Sequence, residues 1–395
     1  NIINISSMRE VIVQVMRILV ILGGSFLALN VFHLSLTTSV GIAVFGAFVG
    51  GLSAILYILY KMRGHKKELS LDQNLKKDKI TNKEIVKKII SYAIPFIIID
   101  IGVSVYHFVD MVLISRTMTA LNFDAHTTEF VTSSVATWAP KISMVVNSIA
   151  MGLTVSLIPN IVEAFTLKNW KKVESRLNKA LQIIFVICIP MVVGIALLSK
   201  PIWSIFYGYG DLDLGSSVLS FYIFVALASS TYMVTSSTLQ SLNKFKTVYI
   251  TSLGGYLLNA ILDVPFMLIC YHLGLEPFIG AVVASITGYL FTILSALFVL
   301  KKDHKLAYGE TWKMLGKIVV PTVLMILVVL LLEWIIPLNV VSKASCIIYV
   351  AIISIIGAIV YLFTAYKMGI LGDVFGDSYL RKIVKKLTFG KVTLS

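Results

Sequence analysis

Long apolar runs separated by short, lysine-bearing polar stretches set the pattern of this chain. Ten runs reach about the 20 residues needed to cross a ~30 Å hydrocarbon core. They predict helices over residues 18–36, 40–60, 89–114, 138–161, 181–207, 218–242, 247–271, 278–300, 318–336 and 345–366. The second run holds no charged residue and carries Gly46 and Gly50 in GxxxG spacing, which permits close helix contact. Residues 61–88 turn polar and lysine-rich, too charged to span. There Thr81 and Glu84 have capping-box spacing and open an interfacial helix: Ile85, Val86, Ile89 and Ile90 face apolar surroundings while Lys83, Lys87 and Lys88 stay in water. That helix feeds straight into the third run. A basic amphipathic tail with Arg381, Lys382, Lys385 and Lys386 follows the last run and reads as a surface segment.

Composition turns this pattern into a class. With 57% hydrophobic residues and a mean hydropathy of +0.90, the expectation is an all-α polytopic membrane protein. If the N-terminus is cytoplasmic, all but four of the 34 Lys and Arg residues fall on the cytoplasmic side; Arg116, Lys141, Lys200 and Lys343 are the exceptions. Both termini of the chain are therefore expected inside. Topology then explains the net charge of +14 without a nucleic-acid partner. Cys188, Cys270 and Cys346 lie within apolar runs and read as packing residues, with no metal-ligand spacing and no cofactor implied.

The chain also matches itself. FHLSLTTSVGIAVFG, from Phe32, aligns with YHLGLEPFIGAVVAS, from Tyr271, so that His33 meets His272 and Gly41 meets Gly280 at a constant offset of 239. Both copies join an outward-going span to an inward-going one, as in parallel transporter repeats. The domains expected are residues 1–62, the last two spans of a first lobe; 63–88, a basic linker; 89–302, a six-span lobe; 303–368, two appended spans; and 369–395, the tail. An equal first lobe would begin about 150 residues before Asn1, so an N-terminally truncated chain is expected, with ten spans present of fourteen.

Polar residues inside the spans carry the candidate chemistry. In the helix over 138–161, whose Leu-Ile-Pro sequence at Pro159 predicts a break, Lys141, Ser148 and Gly152 fall on one stripe that suits a wet cavity. The competing reading has Lys141, about four residues from the helix start, snorkelling to the interface. In the third run, Asp100, Ser104 and His107 share a face, with Asp110 one turn further. Asp110 and Lys141 reach similar depths and are candidates for an ion pair, leaving Asp100 as a cavity-facing acid for gating or coupling. Asn259 and Asp263, at i and i+4 before Pro265, either line the cavity or satisfy the backbone that the proline opens. Hydroxyls from Ser229 to Thr238 read as helix packing. Residues 115–137 read as an outer loop containing Asp124, His126 and Glu129.

Two bundles, a basic linker and two added helices resemble the multidrug, oligosaccharidyl-lipid and polysaccharide exporter superfamily. SLIPNIVEA from Ser156, LQSLNKFK from Leu239, LLNAILDVPFM from Leu257 and GAVVASITGYL from Gly280 are similar to helix ends of its lipid II flippase and stage V sporulation protein B branch. The resemblance covers essentially the whole chain. It implies a flippase of the bacterial cytoplasmic membrane, not an enzyme, that moves an undecaprenyl-pyrophosphate-linked saccharide by alternating access. The implied partners are that lipid-linked substrate, membrane lipids and a coupling ion, either proton or sodium, with the protein a monomer. In that branch a basic residue of the second C-lobe helix meets the pyrophosphate. Lys141 holds a comparable place, where arginine is often found. The alternatives are a cation-coupled drug antiporter of the same superfamily and a membrane glycosyltransferase or polymerase, whose carboxylates or histidines would sit in the outer loop.

Overall fold

A backbone in hydrocarbon must pair every amide and carbonyl internally, which leaves only helices or closed barrels. This chain uses helices. The computed structural model describes residues 2–64, 81–337 and 342–376. The linker core at 65–80 and the tail from 377, with Arg381, Lys382, Lys385 and Lys386, lie outside the described residues, as do the side chains of 95–100. In order the helices are α1 (Ile2–Leu19), α2 (Leu36–Gly64), α3 (Asn82–Ala120), α4 (Ala125–Ser133), α5 (Ala139–Thr166), α6 (Trp170–Leu197) and α7 (Ser199–Tyr207). They continue with α8 (Leu212–Ser241), α9 (Phe245–His272), α10 (Pro277–His304), α11 (Gly309–Ile335), α12 (Lys343–Lys367) and α13 (Ile370–Phe375). Among the described residues nine helical stretches are long and apolar enough to cross a membrane. The remaining expected run, 89–114, lies within α3, a helix of 39 residues and so about 58 Å long.

The chain forms two compact units, Asn1–Lys87 and Lys88–Ser395. In the first, α1 continues through π-turns at Val20–Gly24 and Leu27–Val31. The apolar stretch therefore runs Val11–Val31, not 18–36. The expectation started it after Arg17, but a membrane helix holds one arginine near its end by extending the alkyl stem to the interface. Against α1, a Cβ at Gly50 would lie 2.9 Å from the Val13 carbonyl oxygen, and one at Gly46 would lie 3.2 Å from that of Arg17. The GxxxG pair is thus the surface on which α1 and α2 pack.

In the second unit α3 starts on the capping arrangement expected, with the Thr81 amide donating to Glu84 Oε2 at 3.1 Å. Three boundaries differ from expectation. Residues 115–137 are not a loop: α3 runs to Ala120, a tight turn follows with Asn122 at φ 63°, and Asp124 caps α4 by accepting from the Thr127 amide at 2.9 Å. The bonds from Thr127 hold the Asp124 carboxyl below the usual carboxylate range. Through a π-turn at Ser134–Trp138, α4 passes directly into α5. The helix also continues through Pro159 to Thr166, because neighbouring helices in a membrane bundle tolerate the one backbone bond a proline removes. Finally, the run over 181–207 breaks at Leu198 into α6 and α7, with Pro201 in the first turn of α7, where its missing N–H costs nothing.

The core of this unit centres on α8, whose buried face packs against α5, α6 and α10. Its hydroxyls serve packing, as expected: Ser229 and Ser230 donate to Asn147 Oδ1 at 3.0 and 2.9 Å, and Thr235 and Thr238 donate to carbonyls of their own helix. The closest approach is between α9 and α10. A Cβ at Gly255 would sit 2.6 Å from the Gly288 carbonyl oxygen, and one at Gly280 would sit 2.3 Å from the Met267 nitrogen. Only glycine lets these backbones touch.

Candidate functional site

The backbone contact of α9 with α10 brings Asn259 and Asp263 against the start of α10, while α3 closes the third side. Both α9 residues are fully buried. The Asn259 side-chain amide donates to Asp110 Oδ1 at 2.5 Å. Ser285 Oγ on α10 lies 3.4 Å from Asp110 Oδ2 and accepts from the Tyr106 hydroxyl at 2.9 Å. The Asp263 carboxyl lies against that of Asp110. Buried Tyr222 and the rings of Tyr232, Tyr256 and Tyr289 stand around the group.

Donors and acceptors do not balance here. Asp263 Oδ1, Asp263 Oδ2 and Asn259 Oδ1 are all buried and, among the described residues, receive no N–H or hydroxyl donor; the Asp263 carboxyl can bond only that of Asp110, through a shared proton. Buried acceptors of this kind carry a substantial desolvation cost, and two adjacent carboxylates cannot both stay charged away from water. A compensating positive species is needed. Carboxylate, amide and hydroxyl oxygens suit a hard cation, or a proton shared between the carboxyls. Asp110, Asp263, Asn259 Oδ1 and Ser285 Oγ would supply such an all-oxygen set.

The family model described as lipid II flippase MurJ matches residues 10–369. The chain belongs to the MurJ lipid II flippase family. It is similar to the lipid II flippase MurJ of Bacillus subtilis (strain 168), with 27% identity over 378 residues, covering 94% of this chain and 68% of that protein. A solved structure, lipid II flippase MurJ in an inward closed conformation, matches with a TM-score of 0.60 at 19% identity, over 90% of this chain and 66% of that one. The chain thus spans about two thirds of the length of these relatives. The family and the fold agree that this is a polytopic helical membrane protein.

In this member of the MurJ family, the polar residues expected to act together separate into two groups. Asp110 does not pair with Lys141: it is buried beside Tyr106 and held by Asn259 and Ser285. Because α3 continues to Ala120, Asp110 lies ten residues from its end, not four. Asn259 and Asp263 neither line an open cavity nor bond the backbone near Pro265; they face Asp110. Ser104 is exposed on α3, His107 is half-buried and meets the Tyr106 ring edge-on at 5.0 Å, and the Asp100 side chain is outside the described residues.

Lys141, Ser148 and Gly152 do fall on one stripe of α5, and that stripe is exposed. Lys141 makes no ion pair among the described residues, and the Ser148 hydroxyl donates to the Val145 carbonyl at 2.7 Å. Since the helix begins at Ala125, Lys141 is 16 residues into it, so the premise that it sits beside the helix start fails. Its distance from Thr166 along the helix is about 37 Å, more than the thickness of a ~30 Å core. Two of the three residues singled out in the supposed loop have structural partners: Asp124 is a cap, and His126 Nε2 lies 3.5 Å from Asp211. Sequence reading missed Ser285 and Tyr106. Ser285 stands inside the quoted GAVVASITGYL motif, and Tyr106 is four residues before Asp110 on the same helical face, so both signals were present.

Proposed function

We propose that this protein works as a flippase, carrying an undecaprenyl-pyrophosphate-linked saccharide of the lipid II class from the inner to the outer leaflet by alternating access. The coupling ion would bind at Asp110, Asn259, Asp263 and Ser285. Family membership supports the substrate class. The observation that carries the coupling role is the set of buried, unfilled oxygens on Asp263 and Asn259 beside a second carboxyl. A cation or proton that neutralises this cluster ties α3, α9 and α10 together where they cross, and its release loosens them. Such a change biases a helix bundle between two arrangements.

Lys141 is the residue we assign to the pyrophosphate, supported by its place on an exposed polar stripe of α5. Asp100, with Ser104 and His107 on the same helical face, is assigned a gating role that rests on the sequence pattern alone. The lysine bias supports placing both ends of this chain on the cytoplasmic side, and the protein is assigned as a monomer. The drug-antiporter alternative would share the cation cluster but not the lipid-linked substrate. Complementation separates them: the protein should restore growth to a flippase-depleted bacterium, and drug resistance without restored growth would favour the antiporter.

A further inference from the structure

Two cavities outside the acid cluster share a wall. One, about 420 Å³, is an apolar crevice among α6, α8, α10 and the first turns of α11, reaching from Phe224 and Leu290 to Tyr308 and Trp312. This is the size of a cleft that holds a small ligand or part of a lipid chain, within the usual range of roughly 300–1,000 Å³. The other, about 440 Å³, opens at the α10–α11 connection and is lined by Lys301, Lys305, Gly309 and again Tyr308 and Trp312. Trp312 is 61% exposed in the first turn of α11, and an exposed indole at the end of a span favours the boundary between chain and headgroup regions.

The connection between the helices is held firmly. Asn178 on α6 donates to the Ala307 carbonyl at 2.8 Å, and Glu174 accepts from the Ala307 amide at 2.8 Å. Thr311 Oγ1 donates to Asn178 Oδ1 at 2.5 Å, and the Tyr308 hydroxyl donates to the Leu297 carbonyl at 3.0 Å. Lys305 ends α10 in the left-handed region, at φ 55°, a position that glycine fills more easily. A lysine there keeps a second ammonium beside that of Lys301. Nearby Asp303 is already paired with Lys244 and Glu174 with the Ala307 amide, whereas Lys301 and Lys305 have no ion-pair partner among the described residues. The site therefore has an apolar slot, an exposed indole and, at one mouth, two lysines without an ion-pair partner set against the single charge of Glu174.

We propose that these two cavities form a binding site for one anionic phospholipid, with an acyl chain in the crevice and its phosphodiester at Lys301 and Lys305. It shares no lining residue with the Asp110, Asn259, Asp263 and Ser285 cluster and is independent of the flippase assignment. Bound there, the lipid fastens α11 to the six-helix body around α8.

Native mass spectrometry of the purified full chain, titrated with dioleoyl phosphatidylglycerol and dioleoyl phosphatidylcholine, tests the proposal. The first lipid should bind at least ~10-fold more tightly, given about one factor of five per lysine near the phosphate. Lys301→Gln/Lys305→Gln should reduce that preference to less than ~3-fold while the protein stays folded by its melting profile. Lys302→Gln/Lys313→Gln, which changes equal charge away from the cavity lining, should retain it. Equal affinity for the two lipids would overturn the site. So would an equal loss in the control variant, or displacement by free glycerophosphoglycerol at lipid-equivalent concentration, which would show an anion site with no use for the crevice.

Discussion

The Asn259 side-chain amide donates to Asp110 Oδ1 across 2.5 Å, joining two residues 149 positions apart. This bond consumes the one donor arm of Asn259 that faces the acids and leaves its own oxygen unfilled beside Asp263. Three helices thus meet, well inside their lengths, at a cluster with more acceptors than donors, which is the physical basis for assigning it a cation or a mobile proton.

Removing either acid should have opposite effects on folding. Asp110→Ala leaves the Asn259 amide without its partner and should destabilise by about 1–3 kcal/mol. Asp263→Asn removes the second buried carboxyl and adds donors toward Asp110, so in choline chloride, where no coupling cation is bound, it should melt at or above the wild-type temperature. Thermal unfolding of the two variants in detergent checks the pair, and a large loss in Asp263→Asn would contradict the charge assignment.

A cation at free concentration c that binds only the folded state raises stability by RT ln(1 + c/Kd), about 2.7 kcal/mol at a hundredfold excess over Kd. Melting wild type in sodium chloride and in choline chloride at equal ionic strength should show a higher transition in sodium. Asp263→Asn should abolish the difference. If neither salt matters but lowering the pH does, the species is a proton.

The placement of the cluster depends on glycine contacts. Gly255→Ala sets a Cβ 2.6 Å from the Gly288 carbonyl oxygen, and backbone cannot yield as a flexible side chain can; a loss of about 1–3 kcal/mol is expected. Gly316→Ala, at a helical position with nothing within 4 Å of the new Cβ, should be neutral or gain up to about 1 kcal/mol. Comparing the two melting temperatures isolates the crossing from general helix propensity.

Lys141→Ala should abolish complementation of a flippase-depleted strain, and Lys141→Arg should retain it, since either cation can meet a pyrophosphate. Full complementation by the alanine variant at normal expression would reduce Lys141 to an interfacial anchor. Asp100→Asn should bias labelling of cysteines introduced at the two membrane faces toward one side.

Much of this was legible in the chain. Apolar run length predicted the helices, and the GxxxG pair at Gly46 and Gly50 marked a real close contact. The individual polar residues Asp110, Asn259 and Asp263 stood out because charge and amide groups are rare within spans. Their grouping was not legible, since periodicity says which face a residue occupies but not which helix that face meets. Distance from an apparent helix end misplaced Asp110 and Lys141 for the same reason: hydropathy dims before the helix stops, as at residues 115–120 and in the polar but helical stretch around His126 and Glu129. Pro159 misled as well, because a proline breaks a helix in water more readily than in a packed bundle.

The most direct measurement is translocation of a fluorescent lipid II analogue by the purified protein in proteoliposomes, with sodium or proton gradients imposed in turn. Wild type should respond to one gradient, and Asp263→Asn should lose that response while remaining folded. Translocation by Asp263→Asn that follows the same gradient at the wild-type rate would contradict the assignment of coupling to this cluster.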